Sequence, residues 1–173
     1  MKRIGFIDHY IDEWHANMYP GWIRNSALKD SFDVAFAWEE TAKQGGKPLA
    51  TWCAEQKVAQ ANSQAQLIKE CDCLAVLSPD NPERHEELAD LALRSGKPVY
   101  IDKTFAPTLS AAKRLFAKAE KHGTPMYSSS ALRYSPELRT ALSGPLAGKK
   151  VKFAAMRGPG YFGNYAVHQV EPL

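Results

Sequence analysis

Apolar residues in this chain come in short blocks of two kinds, and the two kinds alternate. Leu74-Ala75-Val76-Leu77 is a continuous run, as expected of a strand covered on both faces. Ser78-Pro79-Asp80-Asn81-Pro82 ends it with turn and helix-start residues. Leu88, Leu91, Ala92 and Ser95 then repeat at helical spacing, and Gly96 supplies a stop. Val99-Tyr100-Ile101 reads as the next strand. A strand, a helix and a strand in succession predict a parallel pair with a right-handed crossover. In such sheets ligands bind beyond the carboxyl ends of the strands. Ser78, Pro79, Asp80 and Asn81 fall there, as do Asp102 and Lys103.

The same rhythm extends in both directions. Arg3 to Ile7 predicts a first strand, with a helix from about Asp12 to Leu28. Asp33 to Trp38 predicts a second strand, Leu49 to Gln56 a short helix, and Val58-Ala59 a short third strand. Asn62 or Ser63 is placed to cap a helix ending near Glu70. Thr108 is placed to cap a helix carrying Ala111, Ala112, Leu115, Phe116 and Ala119 on one face, closed by His122-Gly123. Pro125 to Ser128 predicts a sixth strand. The fold class expected is α/β, a Rossmann-type doubly wound parallel sheet over residues 1–130. Residues 131–173 differ in character. Pro136 to Leu142 predicts a short helix, Lys150 to Met156 alternates as a half-exposed strand would, and Tyr165 to Val170 predicts a final helix.

Composition narrows the function classes. The 173 residues are 45% hydrophobic and carry a net charge of +3, with the basic residues scattered. A nucleic-acid surface needs clustered Lys and Arg, so no such partner is expected. No apolar run is long enough to span a bilayer, and the segment after Met1-Lys2-Arg3 is too short for a signal peptide. Cys53, Cys71 and Cys73 make an odd set without a disulfide framework, which fits a reducing compartment and a cytoplasmic location. Cys71 and Cys73 are read as structural thiols, because no second ligand pair accompanies them for zinc.

Four blocks, taken in order, carry a family resemblance. They are Asp72 to His85, Gly96-Lys97-Pro98-Val99 with Asp102-Lys103-Thr104, Arg133-Tyr134-Ser135-Pro136, and Asn164 to Glu171. Together they resemble the nucleotide-binding half of Gfo/Idh/MocA-type oxidoreductases. The resemblance implies a nicotinamide cofactor and a small polyol, sugar or cyclitol as substrate. It also implies a second, open-sheet domain of which residues 131–173 would be the beginning. Lys103 would lie near the nicotinamide and the substrate hydroxyl, and His168 would be the general acid/base. Arg133, Tyr134, Asn164 and Glu171 would line the substrate side, with Asn164 where the family often has Asp. His85 is read as structural. Thr104 stands in place of a proline, which leaves that loop's geometry open. An unpaired strand at Lys150 to Met156 would make a second copy of the chain a candidate partner.

One segment departs from the resemblance. The turn after the first strand should be rich in glycine, to let backbone approach a pyrophosphate. Here it reads Asp8-His9-Tyr10-Ile11-Asp12-Glu13. Carboxylates in this position satisfy a helix dipole themselves and repel phosphate. Asp8, His9, Tyr10 and Ile11 are the expected cofactor contacts of this turn, with binding weakened, shifted or lost. Asp8, His9, Asp12 and His15 also carry metal-type donors, but a solvated acidic loop is the reading taken, and no metal is expected. At the end of the second strand, Trp38 and Glu39 are placed for adenine and ribose, favouring NAD over NADP; Glu39 and Glu40 equally read as simply exposed.

Overall fold

The short apolar runs become six strands, and every one of their pairings is parallel. The computed structural model describes all 173 residues. Its elements run β1 (Lys2–Asp8), α1 (Trp14–Arg24), β2 (Phe32–Glu39), α2 (Leu49–Gln56), β3 (Ala59–Gln60), α3 (Gln64–Glu70) and β4 (Cys73–Val76). Then come α4 (His85–Leu88), α5 (Asp90–Leu93), β5 (Val99–Ile101), α6 (Leu109–Lys121), β6 (Met126–Tyr127), α7 (Pro136–Ser143) and α8 (Phe162–Val170). The sheet order is β3-β2-β1-β4-β5-β6. This is the doubly wound arrangement, whose order reverses between β1 and β4.

The strands are covered on both faces, as their apolar runs require. Ile7, Leu74, Val76 and Ile101 pack with Leu67, Leu88, Leu93 and Leu115 on one side. Phe6, Ala75 and Leu77 pack with Ile11, Ala16, Val34 and Trp52 on the other. Neighbours along β1 and β4 thus serve opposite cores, the period-2 alternation of a strand. Gly5 shows why a side chain is excluded at one point of β1. A Cβ there would stand 2.3 Å from Leu67 Cδ2 and 3.0 Å from Cys71 Sγ.

The helix starts follow side-chain chemistry. Ser63 accepts from the Gln66 amide at 3.1 Å and Thr108 from the Ala111 amide at 3.2 Å, so both predicted caps form. Helix α1 is shorter than its pattern suggests, because residues 25–31 fold into turns. The helix after β4 is loosened at Ala89. Its amide still bonds to His85 carbonyl oxygen at 2.9 Å, and Leu93 amide bonds back to Ala89 at 2.8 Å. Phe116 lies on the outer side of α6, 60% exposed, while Ala111, Leu115 and Ala119 are buried.

The chain divides into two compact units, 1–127 and 128–173. The first holds an apolar hollow of about 390 Å³, lined by Ile4, Phe6, Tyr19, Tyr100, Met126 and Tyr127 among others. In the second, Lys150 to Met156 forms no strand, contrary to its alternating pattern: the stretch is exposed and joins no sheet. Alternation alone does not make a strand where no neighbour offers hydrogen bonds. No helix is long and apolar enough to cross a membrane.

Candidate functional site

Parallel strands bring their carboxyl ends to one edge, and the chemistry-bearing side chains gather there. Asp8 ends β1, Glu39 ends β2, Ser78 follows β4, and Asp102 and Lys103 follow β5. Asp102 is fully buried and organises this edge. Its Oδ1 accepts from the Lys103 amide at 2.8 Å and from the Tyr100 hydroxyl at 3.1 Å. Its Oδ2 accepts from His15 Nδ1. The His15 ring is stacked on Tyr19, with ring centres 5.2 Å apart. Burial and the nearby Asp102 charge push both Tyr19 and Tyr100 upward, so their hydroxyls stay protonated.

Lys103 is itself buried, at 8% exposure, which is rare for lysine without a local purpose. The peptide joining it to Thr104 is cis. Ser78 is 2% exposed and adopts a positive φ of 65°. Pro79 is buried beside it, Asp80 is exposed, and Asn81 Nδ2 donates to Glu83 at 3.1 Å. His85 is wholly buried, with Nδ1 facing the Phe105 carbonyl at 3.0 Å and Nε2 facing that of Leu77 at 2.6 Å. It ties the β4 loop to the loop after Lys103, a structural task.

The β1–α1 turn is where the structure corrects the solvated-loop expectation. Asp8 and Glu13 are 0% and 3% exposed. Glu13 is the N-cap of α1, with extended backbone (φ −133°, ψ 169°). Its carboxylate accepts from the His15 amide at 2.7 Å and from the Ala16 amide. Desolvation nevertheless raises its pKa to about 7, only partly offset by those amides. Neither oxygen of Asp8 has a hydrogen bond of good geometry, although the His9 and Tyr10 amides lie near enough to ease its charge a little. Burial first, and the Glu13 charge second, push its carboxyl well above the usual range. Asp12 turns away to hold the 43–47 loop, accepting from the Lys47 amide at 2.9 Å, which helps lower its pKa.

Several expected cofactor contacts are already engaged. Ile11 puts its side chain in the core, and its amide donates to Glu39 Oε2 at 2.9 Å. Glu39 is therefore part of the turn, not simply exposed. Trp38 packs against the core. His9 pairs with Glu40 at 2.6 Å, and Arg84 binds the same carboxylate. Tyr10 lies under the Lys43 ammonium, 5.1 Å from its ring centre. The three thiols are free, and burial pushes Cys53 and Cys71 up to about 11.

A second cluster forms within residues 128–173. His168 Nδ1 pairs with Ser130 Oγ at 2.7 Å. Glu171, one turn on, accepts from the Ser130 amide and from Ser129 Oγ at 3.3 Å, and stands 3.6 Å from Arg133. Four expectations are thus sorted. His168, Glu171 and Arg133 gather around Ser129-Ser130, Tyr134 is exposed, and Asn164 lies in the first turn of α8. Sequence reasoning missed His15 as the partner of Asp102 and missed both serines. The run Ser128-Ser129-Ser130 was the one available signal.

A six-stranded parallel sheet in this order, with a lysine buried at its carboxyl edge, defines a Rossmann-type nucleotide-binding class. The profile of the Gfo/Idh/MocA oxidoreductase family, NAD-binding Rossmann fold, matches residues 24–129, and the chain belongs to that family. The uncharacterized oxidoreductase YhhX of Escherichia coli K12 is 32% identical over 95 residues, covering 55% of this chain and 26% of that protein. The YhhX crystal structure superposes with a TM-score of 0.67 at 22% identity, over 97% of this chain and 52% of that one. GenD2 from gentamicin A biosynthesis, in complex with NAD, gives 0.67 at 14%, over 86% and 40%. Biliverdin reductase of Synechocystis sp. PCC 6803, with biliverdin and NADP+, gives 0.61 at 17%, over 83% and 42%. The chain spans about half or less of the length of these relatives.

The family's cofactor can be tested against the residues present. At the β5 edge, Lys103 is buried beside Asp102, which accepts from its amide. At the β1–α1 turn the residues as they stand oppose a pyrophosphate: the His15 and Ala16 amides are taken by Glu13, and Asp8 lies buried in the same turn.

Proposed function

We propose that the protein is an oxidoreductase acting on the CH–OH group of a polyol- or sugar-like small molecule, with NAD in preference to NADP. The observation that carries this reading is Lys103, buried at the carboxyl edge of the sheet in a chain of this family. Lys103 donates to the substrate oxygen and lowers the cost of charge on it. Asp102 fixes the position of that lysine by holding its amide, and shares its charge with His15 and Tyr100. In the second unit His168 is the candidate proton carrier, its ring position fixed by the pairing of Nδ1 with Ser130 Oγ. Asn164, Arg133, Tyr134 and Glu171 are the candidate substrate contacts there. Glu39 at the end of β2 is the acid that would disfavour a 2′-phosphate, which supports NAD.

A second reading has one specific observation behind it. The Glu13 carboxylate on the α1 amides favours a protein that kept the fold and gave up the dinucleotide. Thermal unfolding with and without NAD, NADH and NADP separates the two. Ligand at a hundred times its dissociation constant adds about 2.7 kcal/mol, and each kcal/mol moves the midpoint of a chain this size by roughly 2–4 °C. The oxidoreductase reading expects a shift with NAD or NADH, larger than with NADP, and reduced-nicotinamide absorbance when polyols are added. No shift with any of the three would favour the second reading.

A further inference from the structure

We propose that Glu13 is a built-in occupant of the seat that a dinucleotide's pyrophosphate would need, so that a dinucleotide binds only by displacing this side chain. The inference takes the location of the cofactor seat from the family fold and is otherwise independent of the redox reading.

The first turn of a helix leaves several amides without intrahelical partners, and those amides are what a phosphate uses. Helix α1 is 11 residues long and starts at Trp14. Of its first amides, those of His15 and Ala16 are held by the two oxygens of one carboxylate, Glu13 Oε2 and Oε1. The arrangement copies an anion bound at a helix terminus, with the anion supplied by the chain. Glu13 is 3% exposed, which separates it from a surface cap that swings freely into water.

The turn is also fastened from outside. Glu13 amide donates to Ile11 carbonyl oxygen at 2.8 Å, Ile11 amide to Glu39 at 2.9 Å, Glu40 amide to Asp8 carbonyl oxygen at 3.0 Å, and Thr41 amide to His9 carbonyl oxygen at 2.9 Å. These bonds join the turn to the end of β2 and engage the Ile11 amide, which is then closed to a phosphate. Side chains at all six positions from Asp8 to Glu13 stand where the family's glycines would leave room. Asp8 is buried in the same turn, 0% exposed, and adds bulk beside the occupied amides. Occupation and fastening both oppose a second anion.

The test compares the chain with Glu13→Gly and Glu13→Gln, titrated with inorganic pyrophosphate and with NAD by calorimetry and by thermal shift. Glycine is tolerated at an N-cap with little loss, so Glu13→Gly keeps the helix while emptying the seat. Glu13→Gln keeps the side-chain shape and an acceptor oxygen. Expected is at least a tenfold tighter dissociation constant for both probes in Glu13→Gly, with Glu13→Gln within about threefold of the parent. Equal pyrophosphate binding by the parent and Glu13→Gly would overturn the proposal, as would Glu13→Gln binding as tightly as Glu13→Gly. Should Glu13→Gly fail to fold, Glu13→Ala stands in for it under the same criteria. The two readings fail separately. Tighter pyrophosphate binding in Glu13→Gly with no turnover of any polyol removes the redox reading alone, whereas NAD-dependent turnover with unchanged pyrophosphate affinity removes this one alone.

Discussion

Two strand ends at the same edge of one sheet, those of β1 and β5, have followed opposite courses. After β5, Asp102 collects His15, Tyr100 and the Lys103 amide around one buried carboxylate and leaves a buried lysine at the mouth. After β1, two buried carboxylates replace small residues, and one of them closes the helix terminus on itself. The first arrangement gathers polar side chains of the sheet edge around one acid, and the second closes a helix terminus with a side chain of its own. On the proposed reading, a fold keeps the part of a site that handles the reacting group while altering the part that grips the rest of the ligand. Fold membership speaks for the shared sheet and leaves each loop to be argued by its own residues.

Four substitutions break or sharpen this contrast. The largest effect is expected at the β5 end. Lys103→Met should lower turnover of an active polyol by about 10²–10⁴-fold with the folded circular dichroism spectrum retained; an activity within a few-fold of the parent would remove Lys103 from the chemistry. Next is the pH dependence of the β1 end. Glu13 ionises near 4.5 when unfolded and at about 7 in the fold, so the fold holds an extra proton between those values. Its contribution is complete below about pH 4.5 and is lost as the pH rises through about 7, amounting to at most about 3–4 kcal/mol at ~1.4 kcal/mol per pH unit. Asp8 shifts in the same direction. Denaturant unfolding of Glu13→Gln across this range should show a visibly flatter profile than the parent. Third, Gly5→Ala forces a methyl against Leu67 and should cost about 1–3 kcal/mol by overpacking, weakening both strand ends through the shared core. The smallest effect, about 1 kcal/mol, is expected of Ser63→Ala at the α3 cap, distant in sequence from either strand end; it should leave cofactor response and turnover unchanged.

The scaffold was largely legible because burial on both faces writes itself as continuous apolar runs. Leu74 to Leu77 and Val99 to Ile101 could be read as parallel strands without any structure, and Ser63 and Thr108 announced their helices through side-chain oxygens. The departure of the first turn was legible too, since six consecutive non-glycine residues cannot make the usual close approach. Its burial was not, because Asp8 and Glu13 look like solvent-facing residues until the fold removes their water. The pairing of His15 with Asp102 spans 87 positions and leaves no local trace. Lys150 to Met156 failed in the other direction: its alternation was real, and the missing partner strand was invisible to it.

The hollow beneath Tyr19, Tyr100 and Tyr127 carries a practical consequence. A greasy wall of that size invites detergent tails, reporter dyes and other unfolding chains, so heated samples are expected to clump before they can refold. Midpoints would then drift with heating rate, and a naphthalene-sulfonate dye should light up in the native protein. Cofactor shifts are best read at one fixed ramp, with light scattering followed alongside.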